Sequence, residues 1–426
     1  MYSGSAGFGP AKEPKSFLLA RVLEFRKYFS LLIFLFLFQL ARGMTYPLFP
    51  QYYQSINLSA IDIGLAFAAY GVSFLIFEAL WGFVFERYGV RGTMPPLAIA
   101  LTTLAVLLFA RPSDLIQLLG IESLLGIGLG GAGVFPRLAV ARQARYADRG
   151  KTFGMLSFTY SLGATLGALL GGASGSLIGI SKSFILAAAI TLISVIPIWW
   201  SNRSHPEKEE PIVTNPGSLV NQLAESTRYN KIGVVVLFGV GLTAVAGNSF
   251  FSLLLPNILL KTPRLTASVL DISIVIAAFN LSTGLAAPFT ASRGSRKPAK
   301  WITTCLIGTG ICYFAIIPAQ NVTEVEIVTI ILGIAYSALT PLTLSLLTTF
   351  VPKGHWGRII GIYGAAEDVG ILVGTSVGSF VWGIYGSQYS LIMMTGLYIL
   401  VGLVCFSAAR FRKLGPNTRS ASEIID

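Results

Sequence analysis

The chain has 426 residues, of which 54% are hydrophobic and only 12% are charged, and its mean hydropathy is +0.70. This composition leaves too little polar surface to solvate a globule of that size, so it excludes a water-soluble fold and indicates an integral membrane protein. The net charge of +12 would suggest a nucleic-acid partner in a soluble protein. In a membrane protein the distribution of the charge matters more, and we expect no nucleic acid.

Apolar segments that are long enough to cross a bilayer, which takes about 20 helical residues, occur twelve times along the chain. In chain order they cover residues 29–49, 61–84, 94–110, 116–140, 153–179, 183–201, 231–256, 268–290, 301–319, 325–351, 357–383 and 390–410. The sequence therefore predicts an all-α membrane protein with twelve transmembrane helices, arranged as six plus six.

The basic residues predict the orientation of the chain in the membrane. If both termini are cytoplasmic, most of the 31 Lys and Arg residues fall in cytoplasmic segments. The external loops then carry only Arg111, Lys182, Lys261 and Arg264. Cytoplasmic loops of membrane proteins are enriched in Lys and Arg, so this asymmetry predicts that both termini are cytoplasmic.

Polar stretches predict how the chain is divided. Residues 1–28 form a basic cytoplasmic tail without the features of a cleaved signal peptide. A cytoplasmic linker, 202–230, separates an N-terminal six-helix half, 29–201, from a C-terminal half, 231–410, and residues 411–426 form a second cytoplasmic tail. The three cysteines show neither the spacing of metal ligands nor a disulfide framework, so we expect no metal and no cofactor.

Two apolar segments carry glycines with identical spacing, which we call the glycine ladders. The first consists of Gly154, Gly163, Gly167 and Gly171, and the second of Gly361, Gly370, Gly374 and Gly378. The offset between them is 207 residues throughout. Because both ladders lie in predicted membrane helices, they indicate a duplicated helical unit, and two repeats in one bilayer are typical of secondary transporters.

The loop after the second predicted helix contains Gly82, Glu86, Arg87, Gly89 and Arg91. This segment resembles the loop 2-3 motif of the major facilitator superfamily, although a valine replaces one of its basic residues. The resemblance covers nearly the whole chain and implies two pseudo-symmetric six-helix halves. It also implies that the motif is a cytoplasmic gate that latches the two halves together. The alternative is that its arginines only set topology.

The first ladder resembles the helix 5 motif of the proton-coupled drug and multidrug exporters in this superfamily. Ala168 stands where that motif has a proline. The alternative is an ordinary stripe of small residues for close helix packing. Because the ladder occurs in both halves, we expect it to lie at the interface between them.

Polar residues within the first and fourth helices are candidates for the substrate and ion-coupling site. The proton-linked members of the family have an arginine at the place of Glu122 in helix 4. Arg42 in helix 1 lies at a similar depth, which predicts an ion pair between the two. Gln39 and Tyr46 share a face with Arg42, and we expect this polar stripe to face a central cavity.

Glu367 and Asp368 form an adjacent acidic pair in the eleventh predicted helix. A charge near the bilayer centre costs at least about 2.5 kcal/mol on insertion scales, so such a pair is typical of proton or cation coupling. Asn280, at a similar depth in helix 8, is a candidate polar neighbour. The alternative is a structural pairing with a basic residue or a helix end.

Together these features predict a secondary transporter that works by alternating access around a cavity lined by helices 1, 4, 7 and 10. We expect proton-coupled export of an amphipathic or lipophilic small molecule, by a monomer in the plasma membrane, with protons or another ion as the coupling partner. The alternatives are uptake or exchange of a small organic anion, which Arg42 would bind, and lipid flipping. Because the sequence shows no nucleophile-base or metal constellation, we do not expect an enzyme.

Overall fold

The structure is a computed structural model that describes residues 15–88, 93–143, 149–204, 231–265, 267–294, 297–350 and 356–410. Most of the predicted linker and of the two tails lies outside these residues, and their assignment stays a prediction.

The described residues of the N-terminal part form helices that we number α1 to α6 and call the N-half. They are α1 (Lys15–Ser55), α2 (Ala60–Tyr88), α3 (Met94–Leu108), α4 (Leu115–Gln143), α5 (Arg149–Ile178) and α6, which comprises Ile180–Ile193 and Val195–Ser204. Helix α1 begins before the predicted span because the basic segment that precedes it is also helical.

The C-half contains α7 to α12, and two of these helices include a π-helical turn. Helix α7 comprises Lys231–Ser249, the π-helical turn Phe250–Leu254 and Leu255–Lys261. The others are α8 (Val269–Gly294), α9 (Pro298–Ala315), α10 (Val322–Tyr336 and Leu339–Phe350), α11 (Trp356–Leu372, the π-helical turn Val373–Val377 and Gly378–Tyr385) and α12 (Ser387–Arg410).

Within the described residues, ten helices are long and apolar enough to cross a membrane, and α3 and α9 lie outside that set. Large apolar side chains such as Val235, Phe289 and Phe83 are more than half exposed on the outside of the bundle. Such a surface is stable in lipid rather than in water. The prediction of an all-helical, multi-pass membrane protein is confirmed.

The first glycine ladder packs α5 directly against the backbone of α1. A Cβ atom added to Gly163 would lie 2.8 Å from the Phe36 carbonyl oxygen, and one added to Gly171 would lie 2.7 Å from the Met44 Cα. Gly167 meets the Leu40 carbonyl oxygen in the same way. Only glycine permits this approach, because any side chain would overlap the neighbouring backbone.

The second ladder repeats this contact between α11 and α7. Gly370 meets the backbone of Leu242, and Gly374 meets the backbone of Ala246. A Cβ atom added to Gly378 would lie 3.2 Å from the Phe250 ring. The neighbours of Gly154 and Gly361, which lie in α5 and α11, fall outside the described contacts.

The expectation that the ladders lie between the two halves is wrong, because each ladder packs inside its own half. The halves meet instead where α5 packs against α8 and where α2 packs against α11. Gly172 contacts Ser273 of α8, although the adjacent Gly171 contacts α1. Successive helical residues point about 100° apart, so one helix presents the ladder to α1 and a different face to the other half.

One hydrogen bond joins the halves at the end of the bundle that carries the α1–α2 connection. The Lys261 Nζ atom, at the end of α7, donates to the Leu58 carbonyl oxygen over 2.7 Å. The same ammonium lies 5.5 Å from the ring centroid of Trp382 in α11. The two halves are therefore in contact at this end of the molecule.

Candidate functional site

A cavity lies mainly within the N-half. Helices α1, α2, α3, α4 and α6 line it, and from the C-half only Leu253 of α7 does so among the described residues. The prediction of a cavity lined by helices 1, 4, 7 and 10 therefore holds for α1 and α4. Helix α7 contributes a single side chain, and α10 contributes none among the described residues.

Aromatic and aliphatic side chains form most of the cavity wall, including Phe38, Phe49 and Phe67. Arg42 of α1 and Glu122 of α4 are its two charged lining residues in the described part of the chain. Both residues line one cavity, which is consistent with the prediction that they lie at a similar depth. Such a mostly apolar pocket with a few polar groups is typical of small-molecule sites.

Glu122 is almost fully buried, with 2% of its surface exposed. The Tyr53 hydroxyl donates a hydrogen bond of 2.5 Å to its Oε1 atom. Tyr53 belongs to α1 and is itself completely buried against Phe49 and Phe67. The position of the carboxyl group is therefore fixed by a rigid aromatic neighbour from another helix.

Arg42 is surrounded by tyrosines. Its Nη1 atom donates to the Tyr160 hydroxyl of α5 over 3.4 Å, and its Cζ atom lies 5.8 Å from the centroid of the Tyr46 ring. It also interacts electrostatically with Tyr70 of α2, which lines the same cavity. These contacts are with neutral hydroxyls and ring faces, both of which can accommodate a guanidinium.

The predicted ion pair between Arg42 and Glu122 is absent from the described residues, so that expectation is wrong. The Glu122 carboxyl group accepts from Tyr53, and Arg42 donates to Tyr160. The similar depth of the two side chains did not settle their lateral arrangement. Each charged group is held by the tyrosine that packs beside it, and both groups lie in the cavity wall without neutralising each other.

The predicted polar stripe on α1 divides between two environments. Arg42 and Tyr46 line the cavity, as expected. Gln39 is 5% exposed and lies at the α1–α5 contact, where its Cβ atom would be 3.0 Å from a Cβ atom on Gly163. It therefore packs against α5, and it is not among the described lining residues.

The acidic pair of α11 lies outside the described cavity wall, and its two members point to different neighbours. Asp368 is 8% exposed and interacts electrostatically with Tyr70 across the interface between the halves. Glu367 is half-buried and interacts with Tyr336 and Tyr363 of its own half. The carboxylates thus separate, as expected from adjacent positions on a helix.

Asn280, the predicted neighbour of this pair, makes its hydrogen bond within its own helix. Its Nδ2 atom donates to the Ile276 carbonyl oxygen over 2.9 Å. This i to i−4 bond uses one of the two N–H donors of the amide within its own helix.

The predicted cytoplasmic gate lies at the edge of the described residues. Gly82 is in α2 with open space beside it. Glu86 and Arg87 end the same helix, but their side chains fall outside the description, as do Gly89 and Arg91 entirely. The latch therefore stays a prediction.

No group of His, Cys, Asp and Glu side chains in the described part of the chain is arranged to hold a metal ion. The three cysteines are buried and unpaired. Sequence reasoning missed Tyr53 and Tyr70. Tyr53 could have been noticed as a hydroxyl on the inner face of α1.

The fold and the cavity are those of a membrane transporter. The chain belongs to the Major Facilitator Superfamily, whose sequence model matches residues 31–261 and again 236–424. As a member of this family it is a transporter and not an enzyme.

Two relatives illustrate the branch of the family. The chain is 26% identical over 385 residues to the multi-drug resistance efflux pump PmrA homolog of Lactococcus lactis subsp. lactis (strain IL1403), covering 87% of this chain and 91% of that protein. It is 25% identical over 355 residues to the multidrug resistance protein MdtG of Proteus mirabilis (strain HI4320), covering 80% and 85%.

A solved structure of the peptide transporter POT in complex with sulfate has the same fold. Its TM-score is 0.73 at 14% identity, over 92% of this chain and 96% of that one. At this level of identity the likeness concerns the fold alone.

Proposed function

We propose that this protein exports amphipathic or lipophilic small molecules by alternating access, driven by protons. The single observation that carries the proposal is the N-half cavity, which combines aromatic walls with one carboxyl group and one guanidinium. The multidrug efflux relatives support export.

The proposal includes the topology predicted from the sequence. Helices α3 and α9 would complete twelve membrane spans in two pseudo-symmetric halves, and both termini would be cytoplasmic. The equivalent ladder contacts in the two halves support this arrangement. The protein would work in the plasma membrane as a monomer, because one chain contains both halves and a cavity.

Coupling is assigned to Glu367 and Asp368. Asp368 is buried in α11 and interacts electrostatically with Tyr70 of α2, so its charge acts across one of the surfaces where the halves meet. Gaining or losing a proton there changes the electrostatic energy of that interface. Each elementary charge that moves across 100 mV is worth about 2.3 kcal/mol, enough to drive accumulation.

The test is transport in proteoliposomes with an imposed pH gradient, using substrates first identified by thermal shift. The double variant Glu367→Gln with Asp368→Asn is expected to lose gradient-driven transport but to keep substrate binding, because the cavity is in the other half. Asp114→Asn is the matched control, since Asp114 is an exposed acid that caps α4 and asparagine also caps helices. Gradient-driven transport at the wild-type rate in the double variant would show that the coupling assignment is wrong.

Arg42 favours a second candidate function, which is uptake or exchange of a small organic anion. The observation behind it is that its described contacts are with hydroxyls and rings, not with a carboxylate. Exchange would appear in the same proteoliposomes as transport that needs an anion on the opposite side and not a pH gradient.

A further inference from the structure

We propose that the cavity selects molecules that carry both an anionic and a cationic group on a flat aromatic body. The anionic group would bind Arg42 and the cationic group would bind Glu122. This inference rests on the proposed function only in taking the N-half cavity as the substrate site.

The argument for an anionic group starts from Arg42. A guanidinium stays charged in proteins and offers five N–H donors. Its described hydrogen bonds are to tyrosine hydroxyls, that of Tyr160 at the long distance of 3.4 Å and that of Tyr70. A cation at membrane depth is costly unless an opposite charge compensates it. A carboxylate or phosphate on the substrate would supply that charge and match the donors in pairs.

The argument for a cationic group rests on Glu122. It is the cavity's one described acidic lining residue, and Tyr53 donates to its Oε1 atom. A carboxylate can accept about four hydrogen bonds, so capacity remains for an ammonium or a similar cation. The Tyr53 bond fixes the carboxyl group before the substrate arrives, which lowers the cost of binding.

The separation of these charges is what makes the cavity selective. If Arg42 and Glu122 paired with each other, the wall would be neutral and would favour uncharged molecules. Instead, Arg42 bonds to Tyr160 and Glu122 bonds to Tyr53, so the two groups do not pair. A zwitterion can bind both groups at once, whereas a simple cation leaves Arg42 without an anionic partner and a simple anion leaves Glu122 without a cationic one. The aromatic wall suits a flat ring system between the two charges.

Three dyes with the same ring framework provide the test. Tetramethylrhodamine is a zwitterion at neutral pH, its methyl ester is a cation, and fluorescein is an anion. Binding to the purified full-length protein would be measured by fluorescence anisotropy. We expect the zwitterion to bind at least about tenfold more tightly than either of the others, because each of them lacks one charge-assisted contact. Equal affinity for the zwitterion and the ester, or for the zwitterion and fluorescein, would overturn the proposal.

Variants assign each preference to a residue. Arg42→Gln should remove the preference for the zwitterion over its ester, and Glu122→Gln should remove the preference over fluorescein. Arg42→Lys keeps the positive charge and should retain part of the preference for the zwitterion over its ester. Lys182→Gln removes an exposed cation far from the cavity wall and should change neither. If Arg42→Gln keeps the full preference for the zwitterion, the assignment of the anionic group is wrong.

The outcome is separable from that of the proposed function. A protein that transports the cationic ester in a pH gradient but does not prefer the zwitterion would keep the proposed function and refute the selectivity. A protein that binds the zwitterion selectively, yet moves none of the dyes in proteoliposomes, would support the selectivity and refute the proposed function. Thermal unfolding of each variant shows whether a lost preference reflects lost folding.

Discussion

The pair α1–α5 and the pair α7–α11 are built on the same packing scheme but carry different chemistry. Gly163 and Gly167 meet the backbone of α1, and the equivalent Gly370 and Gly374 meet the backbone of α7. At matched positions, however, α1 has Arg42 where α7 has Asn248, and α5 has Tyr160 where α11 has Glu367. At these matched positions the cationic residue, Arg42, is in the N-half and the acidic residue, Glu367, is in the C-half. The duplicated scaffold has thus been kept while its functional groups have diverged.

The backbones of the two pairs also differ. In the described chain, π-helical turns interrupt α7 at Phe250–Leu254 and α11 at Val373–Val377, whereas α5 remains α-helical at the equivalent residues. Such turns are rare and occur often at functional sites. Helix α1 of the regular pair forms part of the cavity wall, and so does Leu253 in the π-helical turn of α7, while α11 carries the proposed coupling carboxylates.

The strongest test of the shared packing scheme replaces one ladder glycine in each half. Gly167→Leu and Gly374→Leu should each lower the free energy of unfolding by about 3 kcal/mol or more, because the new side chain overlaps the backbone of the facing helix. Thermal unfolding in detergent measures this loss. Gly396→Leu is the control, since a Cβ atom there has nothing within 4 Å. A small effect in only one half would mean that the two pairs are not packed alike.

The divergence of chemistry can be reversed at one position. Tyr160→Glu places in the N-half the residue that α11 has at the matched position, so Arg42 would gain a carboxylate partner inside the protein. We expect the preference for tetramethylrhodamine over its methyl ester to fall by about tenfold, because the substrate would no longer supply the missing charge. Tyr160→Phe, which keeps the ring, should largely retain it. A Tyr160→Glu protein with the wild-type preference would contradict the role given to Arg42.

The smallest effect is expected where a tyrosine only fixes a neighbour. Tyr53→Phe removes the hydrogen bond to Glu122 but leaves the carboxyl group in the cavity. Affinity for the cationic ester should fall by less than about tenfold, because one hydrogen bond to a charged group is lost. Tyr52→Phe, at the preceding position of α1, is the control, since the Tyr52 hydroxyl bonds to Ser113. A loss as large as that of Glu122→Gln would show that Tyr53 itself binds the substrate.

The sequence predicted the helices and the duplication well, because length, hydropathy and repeated glycines are local properties of the chain. It also identified Arg42 and Glu122, since charged residues in apolar helices are conspicuous. It did not predict the partners of these groups. Depth along a helix follows from residue counting, but the neighbour depends on how each helix is rotated and which helix stands beside it. For the same reason the glycine ladder predicted close packing but not that α1 and α7 are the helices it meets.

The contact of Lys261 with Leu58 and Trp382 has a practical consequence. The ammonium lies over the indole ring of Trp382 while the two halves touch at this end. When the halves separate there, the indole loses its charged neighbour and its surroundings become more polar. Trp382 is one of six tryptophans, so in a variant whose other tryptophans are replaced its emission should report whether the halves touch at this end.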